Sequence, residues 1–308
     1  MTVKAYTPAD LPRLVEFLRE RHRESGNLTC WLPQRLEDLV YRIDTLYAVE
    51  RGKLKSQDFI RIWEENGEVA ALLIPDGDSA NTCIRKGYEY LFPEMLDVAE
   101  RELLPLFTPG ADGSIDFLVI AHDSLTHEGE ELTRRGYVRD EEGDCDNLQR
   151  PQEKDYDLTP PAGFRQVYGE GLDETEKVRT VHLGFHPADE GTGHLEGMAS
   201  YQARKGSSFY PDSFESFIVT DGGDCCAGCF CYVDRVGGTA FLEPVSTREQ
   251  YRRKGLGTLM LHGAMVRLKE MGIRECWVNS YGWRRAFYNA AGFETVDTIG
   301  FWHKKLRV

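Results

Sequence analysis

A chain of 308 residues, 41% hydrophobic and 29% charged, holds more apolar material than one average domain needs. Its net charge of -14 disfavours nucleic acid and anionic membranes as partners and weakly attracts cations. No apolar run reaches the roughly 18 residues of a membrane span, and the start MTVKAYTPADLPRL lacks the apolar core of a secretion signal. The expectation is a cytoplasmic protein with no membrane partner.

Residues 3–6 read as a short strand. PADLPRLVEFLRERHRES then has helical period, with Leu11, Leu14, Phe17 and Leu18 on one face. A second helix is expected over 34–48. DFIRIWEENGEVAALLIPDG is a hairpin turning at Glu65-Asn66-Gly67. Helical period returns over 91–106, SIDFLVIAHDS is a buried strand, and HEGEELTRRGYVR is a helix that ends at Gly136 before another strand. Residues 149–164, QRPQEKDYDLTPPAGF, carry three prolines and no period, the composition of a linker.

The same order then recurs. Helices are expected at 172–184 and 194–204, a hairpin at 214–234, a strand at 238–246, a helix at 256–271, a strand at 273–280, and a short helix ending at Gly292 before closing strands. Element order, with a Gly-aromatic pair closing each half, indicates duplication of an α/β unit: two domains, 1–150 and 162–308, joined by a linker at 151–161, each a mixed sheet flanked by helices.

Four of the eight cysteines crowd into DCCAGCFC. Cys226-Ala-Gly-Cys229 has the form of half a zinc knuckle, but Cys30, Cys83, Cys145 and Cys276 are isolated, so no second pair exists. On a strand, Cys229 and Cys231 share one face and Phe230 takes the other. The expectation is apolar filling and no metal.

The stretch STREQYRRKGLGTLMLHGAM places three cations and two glycines where a strand runs into a helix. The first amides of that helix have no intrahelical acceptor and sit at the positive end of its dipole. With glycines and cations beside them they suit a pyrophosphate. The string is neither a Walker loop nor a dinucleotide fingerprint. Arg252-x-x-Gly255-x-Gly257 resembles the signature of the GNAT N-acetyltransferase superfamily. FLEPVSTREQYRRKGLGTLML is similar to that family's fourth strand and central helix, and CWVNSYGWRRAFYNAAGFE to its next strand and helix. The resemblance is strong over 205–308 and loose over 162–204.

This resemblance implies two tandem GNAT-like domains, each a mixed, mostly antiparallel sheet, and acetyl-CoA as co-substrate. It implies that the amides of Arg253, Lys254, Gly255, Leu256, Gly257 and Thr258, with Arg252, hold the pyrophosphate. Pro244, Val245 and Ser246 would pair with the pantetheine arm, Asn279 would bond the cofactor, and Arg284 or Arg285 would reach the adenosine phosphate. Tyr288, four residues before Gly292, would protonate the leaving thiolate, and Val245 N–H would meet the oxyanion. Glu243 would serve as base, as anchor of a cationic substrate, or as half of an ion pair. His182 and His186 read as ordinary packed or surface histidines.

The first half departs from the pattern. Its corresponding slot, IRKGYEYLFPEML, keeps Gly87 but lacks the second glycine and contains Pro93, and the residue four before Gly136 is Leu132. A degenerate domain is expected there, structural or walling the substrate site. The functional expectation is an acetyl-CoA-dependent N-acetyltransferase acting on a small-molecule amine by direct attack on the thioester, as a monomer or homodimer. The alternatives are a catalytically silent acyl-CoA-binding protein and a metal-dependent module built on the cysteines. An aminoglycoside, polyamine, amino acid, peptide terminus or cysteinyl thiol each fits as acceptor.

Overall fold

The computed structural model describes residues 1–43, 56–76, 79–104, 107–140, 143–189, 191 and 193–307. Contacts divide the chain into two units. One is Met1–Asp146 with Ser280–Trp283 and Val296–Val308; the other is Asn147–Asn279 with Arg284–Thr295.

In the first unit, β1 (Thr2–Ala5), β2 (Arg61–Glu65), β3 (Glu68–Asp76) and β4 (Ser79–Ile84) pair antiparallel in that order. The β2–β3 turn sits where Asn66-Gly67 offers two left-handed residues, φ 52° and 86°. β4 then runs parallel to β5 (Ser114–His122). A parallel pair needs a crossover, and α3 (Phe92–Glu102) supplies it by burying Phe92, Met95, Leu96 and Ala99 against the sheet. The remaining helices are α1 (Leu11–Ser25), α2 (Pro33–Asp38) and α4 (Thr126–Arg134), followed by the short β6 (Val138–Arg139). The expected helix over 34–48 continues past α2 as a wider turn through Ile43, and the rest of that span lies outside the described residues.

The second unit repeats the plan. β8 (Phe164–Tyr168), β9 (Phe214–Thr220), β10 (Cys225–Asp234) and β11 (Thr239–Thr247) are antiparallel neighbours, and β11 runs parallel to β12 (Glu275–Tyr281) across α7 (Leu256–Glu270). α5 (Glu174–Phe185) and α6 (His194–Ala203) precede β9, and α8 (Arg285–Ala290) follows β12. Cys226, Cys229 and Cys231 pack with Met260, Ala264 and Leu268 of α7, whereas Phe230 packs with Phe217, Tyr201 and Val178. The strand alternates as its sequence demands. Both halves close their last helix identically: Tyr137 N–H returns to Leu132 O, and Phe293 N–H to Tyr288 O, each at 3.0 Å over a glycine with positive φ.

Two boundaries differ from those read off the sequence order. β13 (Glu294–Arg307) runs antiparallel to β5, from Ile299 opposite His122 to Arg307 opposite Ser114, so most of the last strand of the expected 162–308 domain belongs to the first unit. Pairing partners, not chain order, decide membership. The 151–161 linker is not free either. Gln152 donates to Lys269 O at 2.8 Å, Lys269 Nζ to Lys154 O at 2.8 Å, and His262 Nδ1 lies 3.0 Å from Asp157 O, strapping the segment along α7. β7 (Asp144–Gln149) carries the boundary between the units.

At the end of β5, His122 Nδ1 lies 3.2 Å from Asp146 Oδ2 and 3.4 Å from Asp297 Oδ2. Burial alone would lower its pKa, but the two carboxylates push it up to about 10. Nearby Glu128 is raised to about 8, mainly by burial. Both native forms hold a proton that the unfolded chain releases sooner, at about 6.5 and 4.5. Stability is therefore greatest below those values and falls as pH rises towards 8 for Glu128 and 10 for His122. The thermal midpoint should fall continuously from pH 5 to about 10, and His122→Asn should flatten the part of that decline above about pH 7. Both are read by a calorimetric pH series.

Candidate active site

β11 and β12 are registered partners at three positions, Thr239 to Phe241 against Glu275 to Trp277. Beyond them β11 bulges: Cys231 faces Leu242 and Cys229 faces Val245, so Glu243 and Pro244 together oppose Phe230. Pro244 has no N–H to offer a neighbouring strand. From Leu242 onward β11 has no registered partner on its β12 side among the described residues, and the two strands part. The parted stretch comprises Glu243, Pro244, Val245 and Ser246 on β11 and Val278 and Asn279 on β12. Gly184 of α5 closes onto Ser246, where an added Cβ would meet the serine Cβ at 2.5 Å. The Ser246 hydroxyl is buried and has no hydrogen-bond partner among the described residues.

The strand ends at Thr247 and the chain reaches α7 through Arg252–Gly255. Arg253 and Gly255 both take left-handed φ, 63° and 76°. Such a turn faces successive N–H groups to one side. Arg253, Lys254 and Gly255 are exposed, and the N–H groups of residues 253–258 meet no acceptor among the described residues. No side chain caps α7, whereas α5 in the same unit is capped by Asp173, which accepts from Glu176 N–H at 3.0 Å. An uncapped helix start forgoes about 1 kcal/mol, and here it points unpaired donors outward.

The two glycines do separate jobs. Gly255 has open space around its Cβ position and is required by its backbone angle; Gly257 is buried, and a Cβ there would press on Phe287 at 3.1 Å and Thr247 Oγ1 at 3.2 Å. Arg252 is committed to the protein. Its N–H bonds Glu249 O at 3.1 Å, and its guanidinium donates to Thr247 O at 3.1 Å and Gly184 O at 2.8 Å. It ties the turn to β11 and α5 and has no amide left for a phosphate. Among the described residues, Arg253, Lys254 and Arg285 form no ion pair. Arg284, also exposed, is held below the usual arginine range, first by partial burial and next by the positive charge of Arg252 and, more weakly, Arg253. In a chain with net charge -14, cations gathered closely enough to depress one another favour an anion beside them.

Tyr288 is buried on α8 between Phe287, ring centroids 5.0 Å apart, and Phe293, 5.8 Å apart. Burial pushes its phenol well above the ordinary value; Cys229 and Glu243 add to the rise and Arg284 opposes it. Its hydroxyl has no hydrogen-bond partner among the described residues, and Glu243, half-buried, makes neither hydrogen bond nor ion pair there. Asn279 is half-buried on β12. His182 Nε2 lies 2.8 Å from Asp189 Oδ2, and its ring stands 4.8 Å from that of His186. Sequence reading gave no sign of the Gly184–Ser246 closure or of the tie made by Arg252, because both join residues far apart in the chain.

The first unit treats its corresponding turn differently. Gly87, with φ 92°, donates its N–H to the carboxylate of Glu89 at 3.0 and 2.9 Å. Burial alone would raise that carboxyl, but the amides of Gly87 and Glu89 hold it below its ordinary value. A side-chain carboxylate occupies the amides that the second unit leaves open. Leu132, in the place of Tyr288, is fully buried.

Residues 185–293 match the model of the Acetyltransferase (GNAT) family. A search of curated protein sequences finds no match. Among solved structures, a GCN5-related N-acetyltransferase from Sphaerobacter thermophilus is similar at TM-score 0.65 and 15% identity, covering 100% of this chain and 96% of its own. A tandem GNAT protein from the clavulanic acid biosynthesis pathway aligns at TM-score 0.64 and 13% identity, covering 99% and 98%. A GNAT-family acetyltransferase from Colwellia psychrerythraea aligns at 0.56 and 10%, covering 98% and 99%. At these identities the structures speak to the fold, and they give both halves the same tandem architecture.

The two glycines should separate by substitution. Gly257→Val should cost roughly 1–3 kcal/mol through overpacking against Phe287, and Gly255→Ala about 1 kcal/mol through its backbone angle. Urea unfolding of the two variants measures both.

Proposed function

We propose, from the match of residues 185–293 to the Acetyltransferase (GNAT) family model and the likeness of the whole chain to a tandem GNAT structure, that the protein is an acetyl-CoA-dependent N-acetyltransferase acting on a small-molecule amine. The observation that carries this reading is the set of amides at 253–258 that meet no acceptor among the described residues, beside Arg253 and Lys254, which form no ion pair there. Those donors and charges suit a pyrophosphate, and the unpaired stretch of β11 suits an extended amide-bearing arm. Acetyl-CoA, when bound, supplies an activated thioester. The amides of Arg253 to Thr258 would hold its diphosphate, with Arg284 and Arg285 towards the adenosine end, Asn279 on the opposite strand, and Ser246 Oγ bonding where the strands part.

The chain's own chemistry is then short. The acceptor amine must lose a proton to attack, and Glu243, a carboxylate with no partner among the described residues, takes it directly or through water. Before that step the same carboxylate favours a cationic amine. Val245 N–H meets the developing oxyanion. As the carbon–sulfur bond breaks, Tyr288 donates its proton to the thiolate. Its raised pKa keeps the phenol protonated across physiological pH. Glu89 and Leu132 leave the first unit without a phosphate cradle or an acid, so one site per chain operates.

Acetyl-CoA at a hundred times its Kd should stabilise the protein by about 2.7 kcal/mol; no shift with either acetyl-CoA or CoA would end the proposal. Tyr288→Phe should lower kcat about 10²-fold or more while the cofactor-induced Tm shift stays unchanged. Glu243→Gln should lower kcat; a rise in KM alone would make the residue an anchor and not the base. Stabilisation by CoA without thiol release from any amine tested would favour a silent acyl-CoA-binding protein.

A further inference from the structure

The second unit contains a cavity that the proposed reaction does not use. It holds about 270 Å³ and lies between the start of β9, the middle of β10, the first turns of α5 and the segment that follows α6. That is small beside the roughly 300–1,000 Å³ of sites for drug-sized ligands. The rings of Tyr210, Phe230 and Tyr232 line it, and Lys177 and Arg204 bring positive charge to its wall. Both cations are 7% exposed. The Arg204 guanidinium lies over Phe230 at 4.8 Å and over Tyr232 at 5.1 Å. Lys177 Nζ reaches Glu215 Oε2 at 3.4 Å and the Tyr201 hydroxyl at 3.5 Å, its only polar contacts among the described residues. A well-made ammonium–carboxylate bond spans about 2.7–2.9 Å, so this buried ammonium holds no short bond. The carboxylates of the lining are better served. Glu215 Oε1 accepts from Tyr201 at 2.9 Å, Glu174 from Lys205 at 2.8 Å and Gln202 at 2.5 Å, and Glu170 from Arg267 at 2.5 Å. An incoming cation meets acids already engaged, whereas an incoming anion meets Lys177 with donors to spare.

We propose that this cavity binds a small organic carboxylate, with its acid group on Lys177 and its apolar body against the aromatic rings. The ammonium gains the short charge-assisted bond it lacks, in surroundings that exclude most water and so strengthen it. The place of the cavity in the sheet suits two sources of the acid. Phe230 stands opposite Glu215 of β9 on one side and opposite Glu243 and Pro244 of β11 on the other. Glu215 and Glu243 are therefore two strand spacings apart, roughly 10 Å. The carboxylate is either the far end of the acceptor amine, which rests on the transferase reading, or a separate organic acid, which does not.

The test titrates benzoate into the full chain by calorimetry, beside benzamide and benzamidine, its neutral and cationic isosteres. Benzoate should bind at least about tenfold more tightly than either. Crystals soaked in para-bromobenzoate should show bromine among Tyr210, Phe230 and Tyr232. Lys177→Gln should weaken benzoate at least about tenfold, and Lys177→Arg should retain most of the binding. The isostere comparison and the bromine position need no variant to fold, and none of these readouts needs turnover, so a failure of acetyl transfer leaves them standing. Kinetics then assign the source. A KM that Lys177→Gln raises for an acid-bearing amine but not for the corresponding amide gives the acid to the acceptor; an unchanged KM for both gives it to a separate ligand. Benzoate that binds no better than its isosteres, or bromine outside this cavity, overturns the proposal.

Discussion

The parting of β11 from β12 is the constraint on which the second unit's proposed chemistry depends. Three registered positions hold the strands together, and a bulge that places Glu243 and Pro244 opposite a single residue turns β11 aside. A sheet edge opened inside a fold is costly unless something extended completes it. The same parting sets down the other components. The strand that leaves the pairing carries Glu243, Val245 and Ser246, its end feeds the turn before α7, and β12 leads to the helix bearing Tyr288. One irregularity therefore bears on a phenol, a carboxylate, an unpaired strand edge and a row of amides, the groups on which the proposed reading rests.

The two halves show how one scaffold keeps or abandons such a path. Both have the parallel pair, the crossover helix and the glycine-closed last helix. They diverge at a few side chains. Where the second unit leaves amides open, the first covers them with Glu89, an anion supplied by the chain itself. Where the second presents a phenol, the first buries Leu132. Its interior is polar instead, with His122 between two aspartates and Glu128 held neutral. The shared frame rests in both units on apolar packing between crossover helix and sheet.

Much of this was legible in the sequence wherever side-chain chemistry follows the local period. The Asn66-Gly67 hairpin, the alternation of Cys229, Phe230 and Cys231, and the glycine-rich entry to α7 all follow from spacing. β4 was not legible, because SANTCI is polar and yet every residue in it is buried. β7 hides in the same way: Asn147 donates to Val278 O at 3.3 Å and accepts from Thr295 at 3.0 Å, partners far away in the chain. Hydropathy cannot announce a strand whose burial is sustained by hydrogen bonds from elsewhere. Within the site, the turn and Tyr288 were visible as a motif, whereas Arg252 looked like a phosphate ligand and proved to be a tie between backbone carbonyls.

The placement of β13 bears on how the chain comes to be folded. The nine residues that pair with Ser114–His122 are translated after the whole of the second unit. On a ribosome the earlier unit must therefore wait, with the flank of β5 uncovered, while nearly all of the later unit emerges and can already collapse. Biogenesis would run against the order of synthesis, the half expected to do the chemistry maturing before the half that was made first.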